Sequence, residues 1–233
     1  MTSKSKKNYF QNITLRRLAN SRIQSTVYDK YAKNVYSQNG EDGIIEELLK
    51  RLNINEGFVC EFGACDGKHL SNTFNLIKKG FKAVHIEANE TSYNKLLETC
   101  KEHTNIIPLN LIVETEGENS LDNILKKTDI PKDFVLLSID IDSYDYHIWK
   151  SLKNYTPKIV VIEINSTANI HDENYIHTPN KYEGTGFRPM FKLGLEKGYT
   201  FICHTGNIIF VRNDLYDKLQ LSEKENFRNV FNQ

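Results

Sequence analysis

What most constrains this chain is a regular alternation of short apolar runs and helix-patterned segments from residue 44 to residue 212. "IIEELLKRL" (44–52) spaces its apolar residues as one helix face, and "GFVCEFG" (57–63) reads as a buried strand. The pattern repeats as a helix "SNTFNLIKKG" (71–80) stopped by Gly80, then a strand "FKAVHIEAN" (81–89). Next come a helix "ETSYNKLLETCKEH" (90–103), with Asn89 or Thr91 as N-cap, and a strand "NIIPLN" (105–110). A helix over 120–128, a strand "DFVLLSIDID" (133–142), a short helix over 146–152 and a strand "KIVVIEIN" (158–165) follow. A loop of about 166–188 leads to a helix over 189–198 and two strands joined around Thr205-Gly206, a hairpin signal. This alternation predicts an α/β, Rossmann-like fold. Its seven-stranded sheet is mainly parallel, with helices on both faces and an antiparallel C-terminal hairpin at one edge.

Sheets of this kind bind ligands beyond the carboxyl ends of their strands. That selects 61–67, 87–89, 110, 140–142 and 163–165, and four of these five places carry an acid. In "VCEFGACDGKHLSNT" (59–73), Glu61 closes a strand and Gly63 and Gly67 punctuate the turn, where glycine allows positive φ and close backbone approach. A helix beginning near Lys68 would aim free N–H groups at an anionic group. Glu87, twenty residues beyond Gly67, stands where a carboxylate can accept both hydroxyl protons of a ribose. The G-x-G-x-x-G and G-x-x-x-x-G-K-[ST] fingerprints are absent. An acid in the first turn repels a pyrophosphate but can pair with an ammonium group, which suits S-adenosylmethionine better than a dinucleotide.

Glu61–Gly67 resembles the E/D-x-G-x-x-x-G motif of class I S-adenosylmethionine-dependent methyltransferases, and Glu87 resembles their second-strand acid. The ordered set "YSQNGEDGIIEELL", "FVCEFGACDGKHLSNT", "AVHIEAN", "LLSIDIDSYDYHIWKSL", "IVVIEIN" and "GYTFICHTGNIIFVRNDL" is similar to the FkbM-like branch of that family over roughly 36–216. The resemblance implies that Glu61, Gly63, Ala64, Asp66, Gly67 and Ser71 line the methionine end of the cofactor and that Glu87 holds the ribose. Asn110 would lie near the adenine or ribose, Asp140 would touch the cofactor, and Ser37–Asp42, Gln38 included, would close over it. Read from its residues alone, Ser37–Asp42 is equally a helix start, with Ser37 or Asn39 as cap and Glu41 and Asp42 in the first turn.

Asp140 and Asp142 share a face if their strand persists. They can position cofactor or substrate, one can serve as a base whose pKa its neighbour raises, or the two can bind a divalent metal with Glu163. Metal is the least favoured of these roles. His171, in the loop after the fifth strand, is a further candidate base, with His177 nearby. Tyr144, Tyr146, Tyr175 and Tyr182 could stack on a sugar ring, whereas Trp149 reads as packing.

The 30 basic and 30 acidic side chains cancel, so no global field steers this chain of 233 residues toward nucleic acid. The charge is uneven: residues 1–33 hold eight basic side chains and one acid, Asp29. Either a solvated helix or an arm that attracts a phosphorylated or otherwise anionic substrate would show this pattern. The expected organisation is a basic helical arm (1–35), a methyltransferase domain (36–216) and a helical tail (217–233). There is no leader-like or membrane-spanning apolar run, and the four scattered cysteines form no C-x-x-C pair, so a reducing cytoplasm is the expected home. The expected activity is O-methylation of a small hydroxyl-bearing acceptor: a sugar, glycan precursor or related cell-surface metabolite. The rivals are a cofactor-binding partner subunit without catalysis and an NAD-dependent nucleotide-sugar-modifying enzyme. Oligomeric state stays open.

Overall fold

The computed structural model describes residues 26–181 and 183–219. Seven strands form one sheet: β1 (Phe58–Phe62), β2 (Lys82–Glu87), β3 (Ile106–Asn110), β4 (Leu136–Ile139), β5 (Ile159–Glu163), β6 (Tyr199–His204) and β7 (Asn207–Arg212). Their order is β3-β2-β1-β4-β5-β7-β6; β1–β5 run parallel, and β7 lies antiparallel between β5 and β6. The chain reverses its direction of travel across the sheet between β1 and β4, and a crevice opens at such a switch point.

Strand alternation divides the apolar residues between two layers. On one face Cys60, Phe62, Val84, Leu137, Ile139 and Val160 meet α4 (Leu121–Lys126), α5 (Asp145–Ser151) and α6 (Phe187–Glu196), with Trp149 fully buried. On the other face Val59, Ala83, Leu136 and Val161 meet α1 (Glu41–Leu52), α2 (Phe74–Ile77), α3 (Glu90–Glu102) and α7 (Asn213–Tyr216).

Four local expectations change. The helix expected over 71–80 shrinks to α2, because Ser71, Asn72 and Thr73 give their donors to Glu61 instead of a helical ladder. No helix starts at Lys68; the N–H groups of Lys68 and His69 donate to Asp66 Oδ1 at 2.9 and 2.7 Å, closing an Asx-type turn. The strand expected over 133–142 ends at Ile139, and Asp142 takes φ +60. The N-cap of α1 is Gly40 at φ +100, neither Ser37 nor Asn39, although the Ser37 hydroxyl still accepts the Asp42 N–H at 3.1 Å. Asn89 caps α3 by accepting the Ser92 N–H at 3.0 Å. Most of the expected N-terminal arm (1–25), the tail from 220 onward and Tyr182 lie outside the described residues.

Candidate active site

The register of the parallel strands lays polar side chains in two rows on the α1–α3 face. In the lower row Ser138, Glu61 and His85 are direct neighbours across β4, β1 and β2. Two residues further on, where the strands end, come Glu163, Asp140, Gly63 and Glu87. The same parity that buries Val59 and Val161 thus delivers a line of carboxylates to the carboxyl edge of the sheet.

Glu61 is 4 % exposed and is the hub of the lower row. It accepts from Ser71 Oγ (2.5 Å), Thr73 Oγ1 (2.6 Å), the Asn72 N–H (2.9 Å) and Ser138 Oγ (3.3 Å). His85 Nε2 lies 2.8 Å from Thr73 Oγ1 and 3.5 Å from Glu61. Burial holds the His85 imidazole below its ordinary pKa, against the pull of Glu61. A neutral ring donating from Nε2 to Thr73, which in turn donates to Glu61, joins the network, while its Nδ1 is buried with no hydrogen-bond partner. Glu61 and Ser71 are therefore engaged with one another beneath the turn that follows β1. Asn72, Thr73, His85 and Ser138 escape a reading of strand ends, yet the "SNT" run after the turn and the parity of His85 and Ser138 with Glu87 and Asp140 are their signals.

The turn 63–67 closes over that hub. Gly63, at φ +77, lies so near the loop after β4 that a Cβ there would stand 1.9 Å from the Asp140 carbonyl oxygen. Gly67, at φ +78, would collide with Leu96 of α3 at 2.6 Å. The N–H groups of Gly63 and Ala64 both donate to Ile86 O, at 3.1 and 3.2 Å, and Thr99 Oγ1 of α3 donates to Asp66 O at 2.7 Å. Glu87 ties this turn to the next: its carboxylate accepts the Cys65 N–H and the Asn89 N–H, each at 2.7 Å. Asn110 donates to Glu87 O at 2.8 Å. Partial burial alone would raise the Asp66 carboxyl, but the N–H groups of His69 and Lys68 hold it low. Cys65 sits among these acids: partial desolvation and then the carboxylates of Glu87, Asp66, Asp140 and Glu61 push its thiol pKa up.

Across the switch point, Asp140, Asp142 and Glu163 each place a carboxylate oxygen within 4.8 Å of the others, so β4 and β5 bring together what the sequence separates. Partial burial raises both Asp140 and Glu163, and a hydrogen bond joins the two half-buried carboxyls, as expected of an acid pair that keeps a proton. Asp145, at the start of α5, is also raised by burial while accepting the Ile141 and Ser143 N–H groups at 2.9 Å, which fixes the acidic turn.

His171 is exposed in its loop and is absent from this three-carboxylate group. Gln38 is exposed, and its carbonyl accepts from Asn34 Nδ2 at 2.9 Å. The segment around it is locked to the far edge of the sheet: buried Glu41 accepts from Thr205 Oγ1 (2.6 Å), Asn207 Nδ2 (3.2 Å) and its neighbour Asn39 N–H (2.8 Å). Beyond β5, Asn165, Tyr175, Pro179, Asn180, Lys181 and Glu183 line a polar cleft of about 460 Å³. Asn165, beside Glu163, donates to Glu183 O at 2.6 Å and its Oδ1 accepts the Thr167 hydroxyl at 2.6 Å.

No family model and no curated protein matches the chain. Among solved structures, the fibrillarin pre-rRNA processing protein of Methanococcus jannaschii is 17% identical over 67% of this chain and 66% of its own, with a TM-score of 0.46. A SAM dependent methyltransferase from Aquifex aeolicus is 12% identical over 83% of this chain and 96% of its own, at 0.43. TrmK of M. capricolum, solved with S-adenosyl-homocysteine, is 12% identical over 71% of this chain and 67% of its own, at 0.41. The fold assigned above rests on this chain's own strand order.

Proposed function

We propose that the chain is an S-adenosylmethionine-dependent O-methyltransferase acting on a small hydroxyl-bearing acceptor. The observation that carries this reading is the row Glu87–Gly63–Asp140–Glu163 along the carboxyl edge at the switch point. The carboxylates of Glu87, Asp66, Asp140 and Glu61 surround Cys65 in the turn between them. Such a site suits a ligand bearing an ammonium, a sulfonium and a ribose diol, and it repels a pyrophosphate, which lowers the NAD-dependent rival. The donor set therefore fits the cofactor. Bound there, it would supply an electrophilic methyl group.

The residues have separable tasks in this reading. Glu87 keeps a lone pair on each oxygen beyond its two backbone contacts, which serves a pair of vicinal hydroxyls. Gly63, Ala64, Asp66 and Gly67 shape the turn over the methionine end, with Glu61 and Ser71 fixing it from below. Asn110 orients the Glu87 strand end. Asp140 and Asp142 face the acceptor. Methyl transfer to oxygen is mainly a matter of positioning, with proton removal needed late. The Asp140–Glu163 pair, already holding a proton, is a poor base; it serves better as a donor and anchor. The polar cleft beyond β5, with its tyrosine ring and two amides, suits a sugar or other polyhydroxylated acceptor, and the basic stretch in 1–33 suits an anionic group on it. Retention of acids at both sides of the switch point speaks against a purely architectural subunit.

Calorimetry with S-adenosylhomocysteine tests the reading. The wild type should bind, and Glu87→Ala should weaken binding at least tenfold. Unchanged affinity in that variant would remove Glu87 from the site, and tighter binding of NAD would overturn the cofactor assignment.

The three-carboxylate group favours one second reading, a divalent metal held by Asp140, Asp142 and Glu163. The all-oxygen donors fit Mg²⁺ or Mn²⁺, and binding would release the proton of the acid pair. Methyl transfer lost on chelation and restored by Mg²⁺ would select this reading over the proton-holding pair.

A further inference from the structure

The loop after β5 contains a group that the reading above leaves unused. His177 is 6 % exposed, and both of its ring nitrogens are buried without a hydrogen-bond partner. A neutral imidazole carries one donor and one acceptor, so two polar groups are unmet on one side chain, and leaving buried groups unmet is costly. The backbone holds the residue in place regardless. Its N–H donates to Thr185 Oγ1 at 3.0 Å, and its carbonyl oxygen lies 2.8 Å from His147 Nε2. The ring packs edge-on against Tyr144 with centroids 4.8 Å apart, and Tyr144, two residues after Asp142, is the residue preceding α5. His147 of α5 also packs edge-on near the ring, with centroids 6.4 Å apart. A pinned, buried ring with both nitrogens unmet, one side-chain contact from the acidic turn, has the form of a group kept for an incoming polar ligand.

We infer that His177, in place of exposed His171, is the base that binds the acceptor hydroxyl, an inference that rests on the methyltransferase reading. As the acceptor oxygen's lone pair forms the new O–CH₃ bond, the S–CH₃ bond breaks and its electron pair goes to sulfur. The hydroxyl proton passes to a His177 ring nitrogen. The positive charge moves from sulfonium to imidazolium, which then returns the proton to solvent. The Tyr144 ring flanks the imidazole, and Asp142 accepts a hydrogen bond from a second hydroxyl of the acceptor.

Three measurements on the full chain test this. Thermal melting without ligand comes first: His177→Leu removes two unmet polar groups and should raise the midpoint by about 2–4 °C. His177→Gln, which keeps polar atoms there, should gain less. A histidine that merely holds the loop would make both variants melt below wild type, and that result overturns the inference. Calorimetry with S-adenosylhomocysteine comes second, and His177→Leu should bind within twofold of wild type. A wild type that does not bind would sink the methyltransferase reading, while melting would still decide whether His177 is structural. Third, transfer of labelled methyl from S-adenosylmethionine is followed with methyl hexosides and hexose 1-phosphates as probes. His177→Leu should lose at least 100-fold in kcat with the cofactor KM unchanged, and the acidic limb of the pH–rate profile should flatten in His177→Gln. Transfer retained by His177→Leu, or lost instead in His171→Gln, overturns the assignment.

Discussion

At the scale of single residues, the acids of this chain divide by what satisfies them. Glu61 carries four hydrogen bonds and supports a turn, Glu87 staples two turns together, and partial burial raises the paired carboxyls of Asp140 and Glu163 beyond β4 and at the end of β5. Glu61→Ala would leave Ser71, Thr73 and the Asn72 N–H buried without their acceptor. It should destabilise the fold by about 3 kcal/mol in urea titrations, whereas Glu61→Gln, which keeps one acceptor oxygen, should cost less than half as much. A direct contact from Glu61 to the cofactor would reverse the pattern, giving weak effects on unfolding and a strong effect on S-adenosylhomocysteine affinity. In the sequence, Glu61, Glu87, Asp140 and Glu163 are visible as strand-end acids. Their division of labour is not, because it depends on which donors other strands and turns bring near each carboxylate.

At the scale of elements, α1 and the β6–β7 hairpin are distant in sequence but joined through Glu41, Thr205 and Asn207. Gly206 adds steric closeness, since a Cβ there would meet Asn39 Nδ2 at 2.9 Å. The lock holds residues 37–42 over one end of the sheet and ties the antiparallel edge to the parallel body. A double-mutant cycle between Glu41→Gln and Thr205→Ala should give a coupling energy of about 1–2 kcal/mol in chemical denaturation, and a value near zero would deny the lock. The elements themselves were largely legible: every strand, the hairpin and the long helices follow from periodicity and turn residues. The misread ends share one physical cause. At 68–73 and at 140–142, side-chain carboxylates capture backbone and hydroxyl donors that a continuing helix or strand would have used.

At the scale of the whole molecule, buried His85 and the half-buried Asp140 and Glu163 act on pH dependence in opposite directions. Burial holds His85 below its ordinary pKa of about 6.5. The unfolded chain therefore binds the extra proton first on acidification, and stability is lost as pH falls through that value. Burial raises Asp140 and Glu163, so the folded state keeps protons that the unfolded chain releases above the ordinary carboxylate range, and stability is lost as pH rises. Asp140→Asn should therefore melt above wild type at pH 8, by roughly 2–4 °C for each kcal/mol recovered. The difference should shrink at pH 5; an equal or larger gain at pH 5 would contradict the assignment. Among the described residues no helix is long and apolar enough to cross a membrane.

By itself the sequence determined the order of strands and helices, the parallel core with its terminal hairpin, and the presence of an acid at most strand ends. These depend on local periodicity and on the parity of residues along each strand. Only the tertiary structure decided that Asp140, Asp142 and Glu163 meet, that Glu61 faces donors from 71–73, and that His177 is buried while His171 is not. Those outcomes depend on strand order, register and the path of a long loop, which bring together residues whose separation in the chain carries no periodic signal.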